Sequence, residues 1–147
     1  MSKYRFEILH PYTIISKWDE LLVHIERVVQ VSNEEFTAES IKHRAVSGNG
    51  MIVAIYNAEN IVAVTTAEVV TYDSGLKSLL VPVFAGSELY EWGLEWLELH
   101  KKIAKQFNCV ELRGFAVRSG WMKILKDYGF KENHVVITMP ISGDNNE

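Results

Sequence analysis

A chain of 147 residues with 48% hydrophobic and 23% charged side chains is the size of one ordinary domain and can bury a real core, which excludes a disordered or fibrous protein. Its formal net charge is −4 and no basic run exceeds Lys101-Lys102, which argues against binding to nucleic acid or an anionic membrane. Cys109 is the only cysteine, the first nine residues carry no charged head with a long apolar run, and no window nears the roughly 18 apolar residues of a membrane span, so the expectation is a cytoplasmic protein, soluble and without disulfides.

Residues 4–9 alternate and carry Tyr4, Phe6 and Ile8, the pattern of a short strand, and Pro11 punctuates its end. Ile14, Trp18, Leu21, Leu22, Ile25, Val28 and Val29 recur at helical spacing, with Ser16 and Asp19 as a capping arrangement. Ser32-Asn33-Glu34-Glu35 is a second cap-like signal, and a shorter helix is predicted over 37–46. Gly48-Asn49-Gly50 ends it, because Gly and Asn accept a left-handed backbone. Residues 51–56 form an apolar strand, Asn57-Ala58-Glu59-Asn60 a turn, and the Val- and Thr-rich stretch 61–72 the return strand of a hairpin. Asp73-Ser74-Gly75 turns into a third strand, 79–84. Pro82 lies inside it and cannot donate a ladder hydrogen bond, so the strand must there lie on an edge or leave its neighbour.

Ser87 is placed to cap a long helix with Leu89, Gly93, Trp96, Leu97, Ile103, Ala104 and Phe107 on one face. Glu88, Glu91, Glu95 and Glu98 lie on another, and Lys101, Lys102 and Lys105 lie toward the end, an order that suits the helix dipole. Residues 109–115 read as a strand, with Cys109 a small buried residue or, in principle, a nucleophile. A short helix over 119–127 carries Trp121, Ile124 and Leu125, Gly129-Phe130 closes it, and 135–141 is the last strand. The β-α-β-α-β run at the end requires crossover connections. A single domain over 1–141 with a polar tail, 142–147, is expected.

The stretch Val110-Glu111-Leu112-Arg113-Gly114-Phe115, followed by residues 121–125 and Tyr128-Gly129-Phe130, resembles the C-terminal half of the Gcn5-related N-acetyltransferase (GNAT) superfamily. The order of elements is similar to that family over nearly the whole chain. The pairs Arg113-Gly114, Gly120-Trp121 and Gly129-Phe130 also look like small GNAT-like proteins of tailed bacteriophages. The resemblance implies an α+β fold with a mixed, mostly antiparallel sheet of about six strands flanked by about four helices. It also implies that two neighbouring strands splay apart, that acetyl-CoA lies in the gap, and that its pyrophosphate sits on amides at the start of the long helix. A bound acetyl-CoA would then meet Val83, Phe84, Gly86, Ser87 and Gly93.

The family's Arg/Gln-x-x-Gly-x-Gly/Ala motif falls on Glu88-Leu89-Tyr90-Glu91-Trp92-Gly93, where only Gly93 fits and Glu88 and Glu91 would repel a diphosphate. The bland alternative is an acidic first helical turn. The family's proton-donating Tyr falls on Leu125, which has no proton to give; Tyr128 is the substitute, or else a packing residue. The general base expected on the middle strands is Glu68, which an alternating strand could equally place in solvent, and His134 is a further candidate. Tyr90 and Trp92, if both exposed, would make an apolar patch for a protein partner; otherwise they plug the gap. No nucleophile elbow, phosphate loop or His-Glu-x-x-His motif is present, and five scattered histidines give no metal site. The resemblance leaves two functions open. One is a GNAT-fold binding or structural protein, in a phage particle or against a host factor; the other is an acetyl-CoA-dependent N-acyltransferase acting on an amine.

Overall fold

The apolar faces of the chain decide its layering. The computed structural model describes residues 3–31, 35–115 and 119–142. In chain order they form β1 (Tyr4–Ile8), α1 (Pro11–Ser16), α2 (Trp18–Val31), α3 (Ala38–Val46), β2 (Met51–Asn57), β3 (Asn60–Thr71), β4 (Lys77–Val81), β5 (Phe84–Gly86), α4 (Leu89–Gln106), β6 (Glu111–Gly114) and α5 (Ser119–Asp127). The sheet runs β1-β2-β3-β4-β6, with β5 pairing β3 beyond the end of β4. All pairings are antiparallel except β4 with β6.

Alternation then assigns each face. Ile52, Ala54, Tyr56, Val64, Val83 and Ala85 meet Ile14, Trp18, Leu21, Ile25, Ile41 and Ala45 of α1–α3. Ile55, Ala63, Ala67, Leu79 and Val81 meet Leu89, Trp92, Trp96, Leu97 and Ile103 of α4 and Ile124 of α5 on the opposite face. The middle of β2 is therefore buried on both sides and reads as a continuous apolar run.

The first predicted helix is two. Its start is Pro11 at the first helical turn, where no amide is needed, with His10 as the cap accepting from the Tyr12 amide. Lys17 ends α1, so Ser16 is the end of one helix and not the cap of the next. The described residues thus hold five helices where about four were expected. Most of the Ser32-Asn33-Glu34-Glu35 signal lies outside the described residues; α3 is capped by a reciprocal Thr37–Ser40 box.

The third meander strand breaks in two at Pro82, as its missing donor requires. Glu68 faces Leu80 and Thr65 faces Phe84, so three residue steps on β3 are answered by four on the other strand. Val81-Pro82-Val83 is thus a bulge. Ser87 does not cap α4: its amide still bonds the Val62 carbonyl at 3.0 Å, and Glu88 takes the cap position with φ +67.

The last predicted strand is overturned. Residues 128–142 contain no strand; Val135, Ile137, Met139 and Ile141 are between 72% and 89% exposed. The stretch has the composition of a strand, but a strand exists only in a ladder, and none of the described strands pairs with it. The sheet keeps six strands only because the third meander strand counts twice.

Candidate functional site

The bulge is the floor of a cleft of about 40 Å³ lined by Phe36, Ser40, Arg44, Gly50, Glu68 and Pro82, room for only a few water molecules. Glu68 occupies it because β3 turns that residue toward α3 just before the bulge. One guanidinium nitrogen of Arg44 donates to both carboxylate oxygens, at 3.0 and 3.1 Å. The Glu68 side chain is 16% exposed and that of Arg44 58%. The pair orients the carboxylate and adds little to stability at such exposure. Lone pairs remain on Glu68 to accept a hydrogen bond from a group entering the cleft.

The connector to α4 is organised by ladder parity. The Thr66 amide bonds the Val83 carbonyl at 3.1 Å, the Val83 amide bonds Thr66 Oγ1 at 3.2 Å, and Ser87 bonds Val62. Val83 and Ser87 therefore spend their amides on β3. The backbone groups of Phe84 and Gly86 turn the other way, away from β3. β4 and β6 stay paired to Val81 and Gly114 and part there; β5 continues along β3 while Phe115 is half exposed and outside the sheet. The pairing of β4 with β6 thus ends at the bulge.

Gly86 has φ +132, and a Cβ on it would lie 2.4 Å from the Ala63 Cα. Its lack of a side chain is fully explained by that close approach. α4 then begins at Glu88, which makes no side-chain cap bond. The amides of Leu89 and Tyr90 are the helix-end donors, since Glu91 and Trp92 already bond the Glu88 carbonyl. Two carboxylates flank them. Glu88 accepts from the Tyr4 hydroxyl at 2.5 Å, and Glu91 lies 3.2 Å from Lys3 Nζ. Burial and the two carboxylates push the Tyr4 phenol above its ordinary range, so it is a donor at every working pH. The start of β1 thereby clamps the acidic first turn of α4.

Behind this turn the space is aromatic. Trp92 is fully buried, donates from Nε1 to the Ser87 carbonyl at 2.7 Å and stacks on Phe84 at 5.7 Å. Trp96 donates to Thr65 Oγ1 at 3.0 Å and meets Phe84 edge-on at 4.8 Å. Tyr90, by contrast, is 75% exposed. An exposed Tyr90–Trp92 patch does not form, because Trp92 lies on the apolar stripe of α4; Leu94 is the exposed neighbour instead.

Gly129-Phe130 is a helix stop. Phe130 bonds the Leu125 carbonyl and Gly129, at φ +101, bonds that of Lys126, which is a Schellman motif. It swings Tyr128 against α4. A Cβ on Gly93 would lie 2.5 Å from the Tyr128 hydroxyl oxygen, so Gly93 leaves the room that this phenol takes. Burial raises the Tyr128 phenol above its ordinary value. Leu125 is half-buried beside it.

Tyr128 packs with the α4 face of the sheet and Glu68 lies on the α3 face, so the two candidate catalytic residues are not brought together. His134 is exposed and Cys109 packs against the α4 core. Among the described residues no group of three or more His, Cys, Asp or Glu is placed to hold a metal ion, and no helix is long and apolar enough to cross a membrane. Arg44, Tyr4 and Lys3 escaped the sequence reading: each acts across elements far apart in the chain, and no spacing announces that.

No protein-family model matches the chain, and no curated protein is detectably similar to it. Solved structures are. An aminoglycoside acetyltransferase from an uncultured soil metagenomic sample shares 13% identity over 95% of both chains, with a TM-score of 0.70. A ribosomal-protein-alanine N-acetyltransferase from Brucella melitensis shares 11% over 95% of this chain and 99% of its own, at 0.69. An acetyltransferase of Trypanosoma brucei shares 9% over 94% and 99%, at 0.65. At such identities the likeness is one of fold, and with the broken strand and the element order it establishes that this chain has the GNAT fold.

Proposed function

We propose that this protein is a GNAT-fold binding component without acetyl-CoA catalysis, acting on a protein partner. The observation that carries this reading is the start of α4. Glu88 and Glu91, fixed by Tyr4 and Lys3, put two carboxylates beside the only two helix-end amides. A diphosphate would have to approach both, and charge repulsion opposes what two amides return. Tyr128, the substitute proton donor, is packed on Gly93 and stands on the opposite face from Glu68. Exposed Tyr90 and Leu94 on α4 offer a contact surface. The resemblance of the stretch from Arg113 to Phe130 to small phage proteins supports a partner in a virion or a host cell.

A second reading has its own support. The end of the β4–β6 pairing at Val81 and Gly114 lies where the resemblance places an acyl chain, and Glu68 in its cleft suits a general base. In that case the protein would be an acetyl-CoA-dependent N-acyltransferase of an amine; among its structural neighbours are an aminoglycoside acetyltransferase and a ribosomal-protein-alanine N-acetyltransferase. Acetyl-CoA titrated into the protein by calorimetry separates the two. The expected result is no heat and no shift in melting temperature at millimolar ligand. A dissociation constant near or below ~100 μM would overturn the first reading, and at 1 mM would add about 1.4 kcal/mol of stability. The Glu88→Gln/Glu91→Gln variant tests the cause: if the carboxylates are what repel, it binds acetyl-CoA more tightly than the parent.

A further inference from the structure

β1 is an edge strand, and the direction of its backbone groups is fixed. The Leu9 amide bonds the Ile52 carbonyl at 2.9 Å, in the register that sets Ile8 against Val53 and Phe6 against Ile55. Alternation then turns the backbone groups of Arg5, Glu7 and Leu9 toward β2 and those of Phe6 and Ile8 away from it. The far side of the hairpin agrees. Thr66 bonds Val83 and Val62 bonds Ser87, which leaves Thr65 and Ala63 to face β2, Val53 and Ile55 to face β3, and Ala54 to face Glu7 of β1. No described strand lies outside β1. The strand has no proline and pairs with β2 without a bulge, so nothing in its backbone guards this edge against another strand.

Its side chains restrict what can pair there. Arg5 and Glu7 stand on one face, both partly exposed and 3.2 Å apart. Phe6 and Ile8 stand on the other. Ile8 is 49% exposed, and Phe6 lines an open groove with Leu94 and Leu99 of α4. An antiparallel partner that answers both charges presents an acid to Arg5 and a base to Glu7, so it reads base-x-acid. Among the described strands only β1 itself does, as Arg5-Phe6-Glu7. β6 has the reverse order, Glu111-Leu112-Arg113. Residues 134–142 carry no acidic or basic side chain besides His134, so the chain's own unpaired segment does not supply the match.

We infer that β1 pairs antiparallel with β1 of a second copy of this chain, about a two-fold axis at Phe6, and so joins the two sheets into one. Arg5 of each copy lies opposite Glu7 of the other, Phe6 opposite Phe6, and Ile8 opposite Tyr4. The backbone groups that turn outward belong to even-numbered positions, so the neighbouring registers differ by two residues. One of these sets Arg5 opposite Arg5 and the other sets Glu7 opposite Glu7, and like charges directly opposite are destabilising. The same two residues thus favour one register and oppose its neighbours. On the other face the two Phe6 rings meet at the axis beside the groove of Leu94 and Leu99. Ile8 against Tyr4 is a β-branched side chain on an aromatic one. The contact is isologous and uses the one β1 edge of each copy, so it closes at two. It does not depend on acetyl-CoA binding, because neither the cleft of Glu68 nor β5 lies at this edge.

Light scattering on the full chain should give twice the monomer mass. Arg5→Glu and Glu7→Arg each place like charges across the axis, and each variant should give the monomer mass with its circular dichroism unchanged. Mixed in equal amounts, the two variants should return to twice the monomer mass, because every acid across the axis then faces a base. The double variant Arg5→Glu/Glu7→Arg is again self-complementary and should be dimeric alone. Recovery in the mixture and in the double variant is a readout that loss of folding does not imitate. A full chain of monomer mass means that the edge meets a different partner or none, and overturns the pairing. A dimer that survives in either single variant, or a mixture that stays monomeric, overturns it as well.

Discussion

The connector between sheet and long helix is flanked by two glycines, and their surroundings differ in kind. Gly86 meets backbone: the Cα of Ala63 and the carbonyl of Val62 stand where a side chain would go, and its φ of +132 suits no other residue. At Gly93 the three nearest atoms all belong to the tip of the Tyr128 ring, and the residue sits within α4 without a positive φ. Both occupy positions where the family resemblance expects the cofactor. Neither needs a cofactor to account for it. A glycine in a sequence reports a close approach, and the approaching group here is a strand in one case and a tyrosine in the other.

The first way to break that contrast is Gly86→Ala. The clash cannot be relieved by a side-chain rotation, because β3 is buried on both faces around Ala63. Overpacking against backbone and a strained φ together should cost roughly 3–5 kcal/mol. Urea unfolding followed by circular dichroism measures it. A loss below about 1 kcal/mol would mean that β5 is free to shift, and the rigid half of the comparison would fail.

The helix side is not soft throughout, and His100 shows where it stiffens. It is fully buried, stacks on Trp96 with ring centroids 3.9 Å apart, and its Nδ1 lies 2.8 Å from the Trp96 carbonyl. That contact requires the proton on Nδ1, and Nε2 is left buried without a partner. Burial lowers its pKa from 6.5 to about 4. The folded state thus favours the neutral ring. This stability is fully present above pH 6.5 and is lost as the pH falls toward 4. Between pH 7 and 5 the loss from this ring should be about 2 kcal/mol. His24, also shifted down by burial, adds in the same direction. Unfolding of wild type and His100→Leu across that range isolates the His100 share. Parallel pH profiles for the two proteins would refute it.

What the sequence made legible was whatever depends on neighbours in the chain. The hairpin of β2 and β3, the break at Pro82 and the Gly129-Phe130 stop are local chemistry, and the spacing of Trp96, Leu97, Ile103 and Ala104 is one helical stripe. The site was less readable because it is assembled across the fold. Glu68 could be singled out as a lone carboxylate among apolar residues, but its partner Arg44 lies 24 positions away on another element. Trp92 and His100 complete the buried stripe of α4 and were not read into it. The final strand failed for a related reason: an alternating pattern states that a segment suits a ladder and is silent about whether a neighbouring strand is there to complete it.

The smallest expected effect sharpens the glycine comparison most, since it asks whether Tyr128 alone keeps Gly93 small. Alanine is favoured over glycine inside a helix by about 1 kcal/mol. In the native protein that gain is offset, because a Cβ at position 93 would stand 2.5 Å from the phenol oxygen and 2.6 Å from a ring carbon. The ring is a side chain at the end of a turn and can withdraw, so Gly93→Ala should cost only about 1 kcal/mol. In a Tyr128→Ala background the obstacle is gone, and the same substitution should stabilise by about 1 kcal/mol. The sign change across this double-mutant cycle, read from urea midpoints, is the prediction. An equal cost in both backgrounds would show that something other than Tyr128 reserves the space beside Gly93, and the first turns of α4 would again need a ligand to explain them.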